Sequence, residues 1–366
     1  MRERWNDIDP RFHGDDKSDG GLASAKTQDD LSVKKILTPT VSVIIPMYNE
    51  EGYIEKCLRS LIEQDYDQGK YNIIVVDGRS TDNSVSIVRK FLKPNKIILL
   101  NNNAKIASAG INIGIRHTNA DIIIILGAHS FIPSDFIKKN VNFLDVTGAD
   151  CVGGKIDTIG EGYFGKAISL AMGCYFGAGS PKFRCGSKEG YTDTVAFGAY
   201  KRRVFEEIGV FDEALLRGMD AEFNYRLRHN KKKIFFTPSI RVFYYNRINL
   251  LKLWIQYFRC GYWKVEIARR YPDSMQYRQF VPFIFILGIL ATGVLAFFDI
   301  TFPAVFLFAT YSSLAVAFTI KEALRHGLKY TVFLPVIFLI IHTAYGIGFL
   351  LGLRHLLNTK EEYSIA

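Results

Sequence analysis

VSVIIPMYNEEGYIEKCLRSLIEQDYDQGKYNIIVVD, residues 41–77, is the stretch that decides the fold. It opens with VSVIIP, a short β-branched run suited to a buried parallel strand over 41–46. Ile54, Cys57, Leu58, Leu61 and Ile62 then recur at helical spacing, which predicts an amphipathic helix over 50–64. A second strand follows at 72–77. The alternation continues outward, with helices at 82–90, 107–117 and 134–146 and strands at 96–100 and 121–126. Repeated units of this kind predict a mainly parallel, Rossmann-like sheet with helices on both faces. Ligands of such sheets bind at the carboxyl ends of the strands. The candidate residues are therefore those just past each strand: Tyr48, Asn49, Glu50 and Glu51; Asp77 through Ser80; and Gly127, Ala128 and His129.

Past residue 150 the alternation loosens. Strands are expected at 151–159, 192–197 and 233–243, helices at 203–208 and near 221–228, and a Gly-rich stretch covers 160–190. A helix over 249–271 has Leu251, Trp254, Ile255, Phe258, Tyr262 and Val265 on one face. Lys252, Gln256, Arg259, Trp263, Glu266 and Arg270 occupy the other, the pattern of a basic helix lying among lipid headgroups. An ordinary domain helix would show the same residues. Three apolar stretches close the chain, at 279–298, 300–320 and 331–353, uncharged apart from His342. Each reaches the length of about 20 residues that a bilayer crossing takes. The third, with Pro335 and His342, either crosses fully or lines a groove.

Charge placement excludes the class that the net charge of +10 first suggests. Residues 226–278 hold 13 Lys/Arg against only Glu266 and Asp273, which accounts for the whole excess. A basic belt beside an apolar span marks the cytoplasmic side and attracts anionic lipid, so no nucleic-acid partner is expected. Cys57, Cys151, Cys174, Cys185 and Cys260 show no CxxC spacing, which argues against structural zinc and a disulfide framework. Residues 1–38, mixed in charge and poor in apolar side chains, are read as a disordered tail. The expected organisation is then a cytoplasmic domain over 39–248, an interfacial region over 249–277, a transmembrane module over 278–354 and a tail over 355–366.

Several motifs carry a resemblance. PMYNEE at 46–51, VVDGRSTDNS at 75–84, SAGINIGI at 108–115, FGAYKRRVFEEIGVFDE at 197–213, MDAEFNYRLR at 219–228 and QYFRCGYW at 256–263 occur in an order that resembles inverting family 2 glycosyltransferases of GT-A fold. With its C-terminal spans the chain is most similar to the succinoglycan-biosynthesis branch. The resemblance implies a nucleotide-sugar slot formed by Pro46, Tyr48, Asn49, Glu50, Asp77, Ser108 and Gly127. Asp82 reads equally as a helix cap or a donor contact. It implies a divalent cation, Mn2+ or Mg2+, that neutralises the leaving diphosphate. The first carboxylate of that motif is replaced by Gly127, and His129 stands where the last would be; the imidazole is read as a metal ligand or as a phosphate or backbone contact. Asp220 aligns with the general base, with Glu222 as fallback. Gly198 marks a close backbone approach. Gln256, Arg259 and Trp263 resemble an acceptor and diphosphate element, although snorkelling beside lipid explains them too. Arg184 and Arg202 are further candidates for a lipid-linked phosphate.

The expected activity is that of a multi-pass plasma-membrane hexosyltransferase in polysaccharide biosynthesis. It takes a sugar from a nucleotide donor, UDP-linked by expectation, to a polyprenyl-diphosphate-linked saccharide. Partners are the donor, the lipid-linked acceptor and membrane lipid, and the reading leaves a homo-oligomer open. The alternatives are a polyprenyl-phosphate glycosyltransferase and a non-catalytic membrane subunit that retains the fold. Asp77, His129 and Asp220 are expected to meet in one cleft.

Overall fold

A computed structural model describes residues 38–363 except 93–95, 180, 247 and 248, so all but the last residue of the expected N-terminal tail lies outside the described residues. The strands are β1 (Val41–Met47), β2 (Tyr71–Asp77), β3 (Ile97–Asn101), β4 (Ile122–Ile125), β5 (Ser130–Phe131), β6 (Cys151–Ile159), β7 (Gly190–Tyr191), β8 (Ala199–Lys201) and β9 (Ile234–Tyr245). They form one mixed sheet in the order β3-β2-β1-β4-β8-β6-β9-β5, with β7 on β9. β1 to β4 pair in parallel; β8 lies antiparallel to both β4 and β6. The strand expected at 192–197 is absent: only Gly190–Tyr191 and Ala199–Lys201 pair, and irregular backbone joins them.

β1 alternates as its composition requires. Val43 and Ile45 pack with α1 (Ile54–Ile62), α2 (Ser84–Arg89) and α4 (Phe136–Val146), while Ile44 packs with α3 (Ala107–His117), α8 (Arg203–Ile208) and α9 (Met219–His229) on the other face. Pro46 sits in this central strand because its pairing with β4 has already ended at Ile44 and Ile125. Its missing N–H faces that finished edge, so the ladder loses no bond there. The order of strands reverses between β1 and β4. That reversal opens a crevice beyond their carboxyl ends.

The Gly-rich stretch is largely helical: α5 (Gly162–Gly173), α6 (Tyr175–Ala178) and α7 (Lys182–Cys185). Its apolar residues Ala167, Ile168, Ala171 and Met172 form a third core with Leu253, Ile337, Phe338 and Ile341. The helix expected at 249–271 is α10 (Leu250–Arg270), whose first turn is capped by Asn249 accepting from Lys252 N–H at 2.8 Å. After it come α11 (Tyr277–Phe297), α12 (Phe302–His326) and α13 (Leu334–Tyr363), the last running through most of the expected C-terminal tail. Tyr277–Phe297, Phe302–His326 and Leu334–Leu356 are long and apolar enough to cross a membrane.

α10 and α13 meet along a glycine seam. A Cβ on Gly261 would stand 2.0 Å from the Tyr345 carbonyl oxygen, and one on Gly348 would stand 2.1 Å from that of Phe258. Gly346 makes the matching approach to α11, where a Cβ would lie 2.3 Å from the Pro282 oxygen. Small residues let helix backbones approach this closely. His342 fastens the cluster further. Its Nε2 donates to the Phe176 carbonyl at 2.7 Å, which leaves Nδ1 to accept from Tyr311 Oη at 3.0 Å.

Candidate active site

The loops after β1 and β2 are stapled to each other. Asn49, at φ +53°, donates its N–H to Ser80 Oγ at 2.9 Å and accepts from Thr81 N–H at 2.8 Å. Glu50 N–H donates to Ser84 Oγ at 2.7 Å, and the Glu51 carboxylate takes both the N–H and the side-chain amide of Asn83 at 3.0 Å. Asp82 accepts from Ser84 and Glu51 N–H groups, so its carboxylate serves the loop structure. Asp77 is buried at the end of β2, level with Met47 and Asn101 on the neighbouring strands. Its oxygens accept from Arg79 and Ser80 N–H at 3.1 and 3.2 Å. Tyr48 is half exposed and lies over Gly78. Ser108, in the first turn of α3, has a buried Oγ with no hydrogen-bond partner among the described residues.

Across the crevice, His129 Nδ1 lies 2.9 Å from Glu50 Oε1. A carboxylate only accepts, so Nδ1 carries a proton, and in the neutral imidazole Nε2 keeps a lone pair. That Nε2 is buried with no hydrogen-bond partner among the described residues. Gly127 has a physical reason to be glycine: a Cβ there would stand 3.1 Å from the ring of Phe197, a residue held at φ +54°. Phe197 thus fills the space that a carboxylate at position 127 would enter. Among the described residues no group of three or more His, Cys, Asp and Glu could hold a metal ion. His129 with its Glu50 partner has the chemistry of one ligand and its outer support, and of nothing more.

A cavity of about 640 Å³ lies next to this crevice. Asp220 lines it from the first turn of α9, where the helix N-terminus favours a carboxylate. Asp220 has no hydrogen-bond partner among the described residues, and desolvation pushes its pKa up to about 6. A base with such a value accepts a proton readily near neutrality. Glu222 does not compete for the role. It is fully buried and paired with Arg226, whose guanidinium also donates to the Ile208 and Val210 carbonyls at 3.0 and 2.8 Å. Arg184, Lys264 and Arg278 bring positive charge to the cavity, and Val281, Pro282, Ile341 and Tyr345 of α11 and α13 give it an apolar wall. Arg278 is paired with Asp193; Arg184 donates to Thr158 Oγ1 at 3.2 Å.

Asp77 and His129 are not among the cavity-lining residues. The connection is aromatic: Tyr244 and Phe197 line the cavity with Asp220, and the His129 ring meets Tyr244 edge-on at 4.7 Å. Gly198 makes a close approach, though to protein, since a Cβ would lie 2.8 Å from the Tyr200 ring. Arg202 is tied to the Thr118 carbonyl and to Glu206. α10 faces the cavity with Tyr257, Cys260, Lys264 and Ile267, one residue round from Gln256, Arg259 and Trp263, which do not line it. Of the apolar face read from sequence, Leu251 and Ile255 are exposed and Val265 is buried, while Leu253, Gly261, Lys264 and Ile267 are buried elsewhere on the helix. α13 occupies that side of the helix. Sequence reading missed Lys264, whose faint local trace is a charge interrupting the Leu250, Leu253, Tyr257, Gly261 stripe.

Residues 42–209 match Glycosyl transferase family 2. The chain is 28% identical over 324 residues to the dolichyl N-acetyl-alpha-D-glucosaminyl phosphate 3-beta-D-2,3-diacetamido-2,3-dideoxy-beta-D-glucuronosyltransferase of Methanococcus voltae, covering 86% of this chain and 97% of that protein. It is 27% identical over 317 residues to the succinoglycan biosynthesis protein ExoA of Rhizobium meliloti, covering 86% and 95% respectively. The mannosyltransferase PcManGT from Pyrobaculum calidifontis, solved in complex with GDP-Man and Mn2+, shares the fold with a TM-score of 0.53 at 20% identity, over 85% of this chain and 88% of that one. The chain carries a glycosyl transferase family 2 domain of GT-A fold and is a glycosyltransferase.

Proposed function

We propose that this glycosyltransferase inverts the anomeric centre of a nucleotide-linked hexose, UDP-linked in our reading, and delivers it to a polyprenyl-phosphate- or diphosphate-linked saccharide at the cytoplasmic face of the plasma membrane. The observation that carries the reading is the position of Asp220. An unpartnered carboxylate with a raised pKa lines a cavity that is also walled by helices long enough to cross a membrane. The named activity of the Methanococcus relative, transfer to a dolichyl-phosphate-linked sugar with a β-linkage, supports the same acceptor class.

In this reading Asp220 takes the proton from the acceptor hydroxyl as that oxygen attacks in line. Pro46, Tyr48, Asn49, Glu50, Asp77, Ser108 and Gly127 shape the donor slot at the reversal of strand order, the position where such sheets bind nucleotides. A divalent cation, Mn2+ or Mg2+, when bound, neutralises the leaving diphosphate. His129 Nε2 would hold it. The basic belt of residues 226–278 keeps the domain against anionic headgroups.

The test is a donor screen on the detergent-solubilised chain with UDP-, GDP- and dTDP-sugars, a lipid-linked saccharide and Mn2+, read by nucleoside diphosphate release and by mass spectrometry of the lipid. Extension of the saccharide, lost in Asp220→Asn, is the expected result. Undiminished transfer by Asp220→Asn removes the assigned base. A sugar placed directly on lipid phosphate would make the chain a polyprenyl-phosphate glycosyltransferase instead, and transfer to water-soluble acceptors alone would end the lipid reading.

A further inference from the structure

Lys264 has no ordinary explanation in the fold. Its residue is only 9% exposed, it lines the cavity, and it makes no hydrogen bond or ion pair among the described residues. The charges around it give little relief, since only Asp193 among the neighbouring carboxylates attracts it. Arg278 and Arg228 repel it, and the nearby Asp193 carboxylate is already taken by Arg278. A buried unpaired ammonium is unfavourable unless an anion arrives. Burial is the main reason its pKa falls to about 8, a charge held at a disadvantage until it is matched.

The surroundings specify which anion. The polar loops at the ends of β1 and β2, which suit a nucleotide, do not line this cavity. Its apolar wall includes Val281, Pro282, Ile341 and Tyr345 from α11 and α13. An anionic head on an apolar chain matches both features. The neighbouring turn of α10 also touches the start of α9: a Cβ on Gly218 would lie 2.7 Å from Ile267 Cδ1. Lys264 precedes Ile267 by one helical turn, Asp220 follows Gly218 by two residues, and Lys264 and Asp220 both line the one cavity.

We propose that Lys264, assisted by Arg184, binds the phosphate of a lipid-linked acceptor and thereby presents the first sugar of that acceptor to Asp220. The assignment rests on the proposed reaction for its biological ligand. It also places the enzyme directly after a reaction that attaches a first sugar to the lipid phosphate.

The full-length protein in detergent is titrated with farnesyl phosphate, farnesol, inorganic phosphate and UDP, with thermal unfolding as the readout. Farnesyl phosphate is expected to stabilise the unmodified chain, and Lys264→Met to weaken that effect at least about tenfold, the scale of one charge-assisted hydrogen bond. Lys264→Arg should restore most of it, and UDP should bind all three proteins alike. Farnesol and inorganic phosphate should each stabilise far less. Undiminished farnesyl phosphate binding in Lys264→Met overturns the proposal. Loss of UDP binding with farnesyl phosphate binding intact also overturns it, by assigning Lys264 to the donor. This readout needs no sugar transfer, so a failed donor screen would remove the proposed reaction while leaving the Lys264 site standing. Once a donor is known, a farnesyl-phosphate-linked monosaccharide should exceed the linked trisaccharide at least about tenfold in kcat/KM, because the longer chain carries its terminal hydroxyl past Asp220. Equal values would overturn the placement of the first sugar.

Discussion

Glu50 Oε1 holds His129 Nδ1 at 2.9 Å across the crevice between β1 and β4 and fixes the tautomer that leaves Nε2 able to bind a cation. The pairing turns Glu50 toward the histidine, so its effect on metal is indirect. Glu50→Gln is expected to weaken Mn2+ activation about 10- to 100-fold, the usual effect of losing an outer partner of a ligating imidazole. Transfer rates measured over a Mn2+ titration give the answer. An unchanged activation curve would show that His129 has no part in cation binding.

Gly127 and Phe197 form a steric pair. Gly127→Asp, which restores the family's carboxylate, drives its Cβ toward the ring and is expected to destabilise the protein by about 1–3 kcal/mol. Coupling it with Phe197→Ala should recover part of that loss, and a double-mutant cycle by denaturant unfolding measures the recovery. Strict additivity of the two changes would refute the clash.

Asp220 links activity and stability with opposite signs. Its carboxylate must be ionised to accept a proton, so transfer should rise as pH passes about 6 and then level. Asp220→Asn should lower kcat about 10²- to 10⁴-fold. The stability sign is the reverse. A folded pKa raised above the ordinary 3.8 favours the fold fully below that value, and the advantage is lost as pH rises through about 6. At neutral pH the Asn variant should therefore melt higher than its parent. A lower melting temperature there would show that Asp220 is a structural carboxylate.

Glu222→Gln tests the neighbouring carboxylate. It keeps one acceptor oxygen for the Arg226 guanidinium beside the Ile208 and Val210 carbonyls but removes the balancing charge, and an uncompensated buried charge costs about 3–5 kcal/mol. Poor folding with near-normal kcat in the surviving protein is the expected outcome, measured by yield and active-site titration. A well-folded variant without activity would return Glu222 to the chemistry.

The parallel half of the sheet was legible because each strand there is a mainly apolar run and each helix a clear stripe: β1 to β4 and α1, α3 and α4 fall close to where periodicity puts them. The region after Tyr175 was less so. Residues 192–197 have a strand's composition but, past the Thr192 N–H bond to the Ile234 carbonyl, no ladder partner, because β8 pairs with β4 and β6 only beyond Gly198. α5 was hidden by its glycines, whose helical state is supported by packing against Leu253 and Phe338. Asp220 could be read from its motif. Lys264 could not, because the rotation of α10 is set by the glycines of α13, and a face defined by contact with a distant helix leaves only a faint trace in local spacing.

The glycine seam between α10 and α13 makes the cavity wall and the last hydrophobic helix move as one body. Any change in the tilt of α13 would therefore carry Tyr257 and Lys264 with it, and with them the shape of the cavity that Asp220 lines.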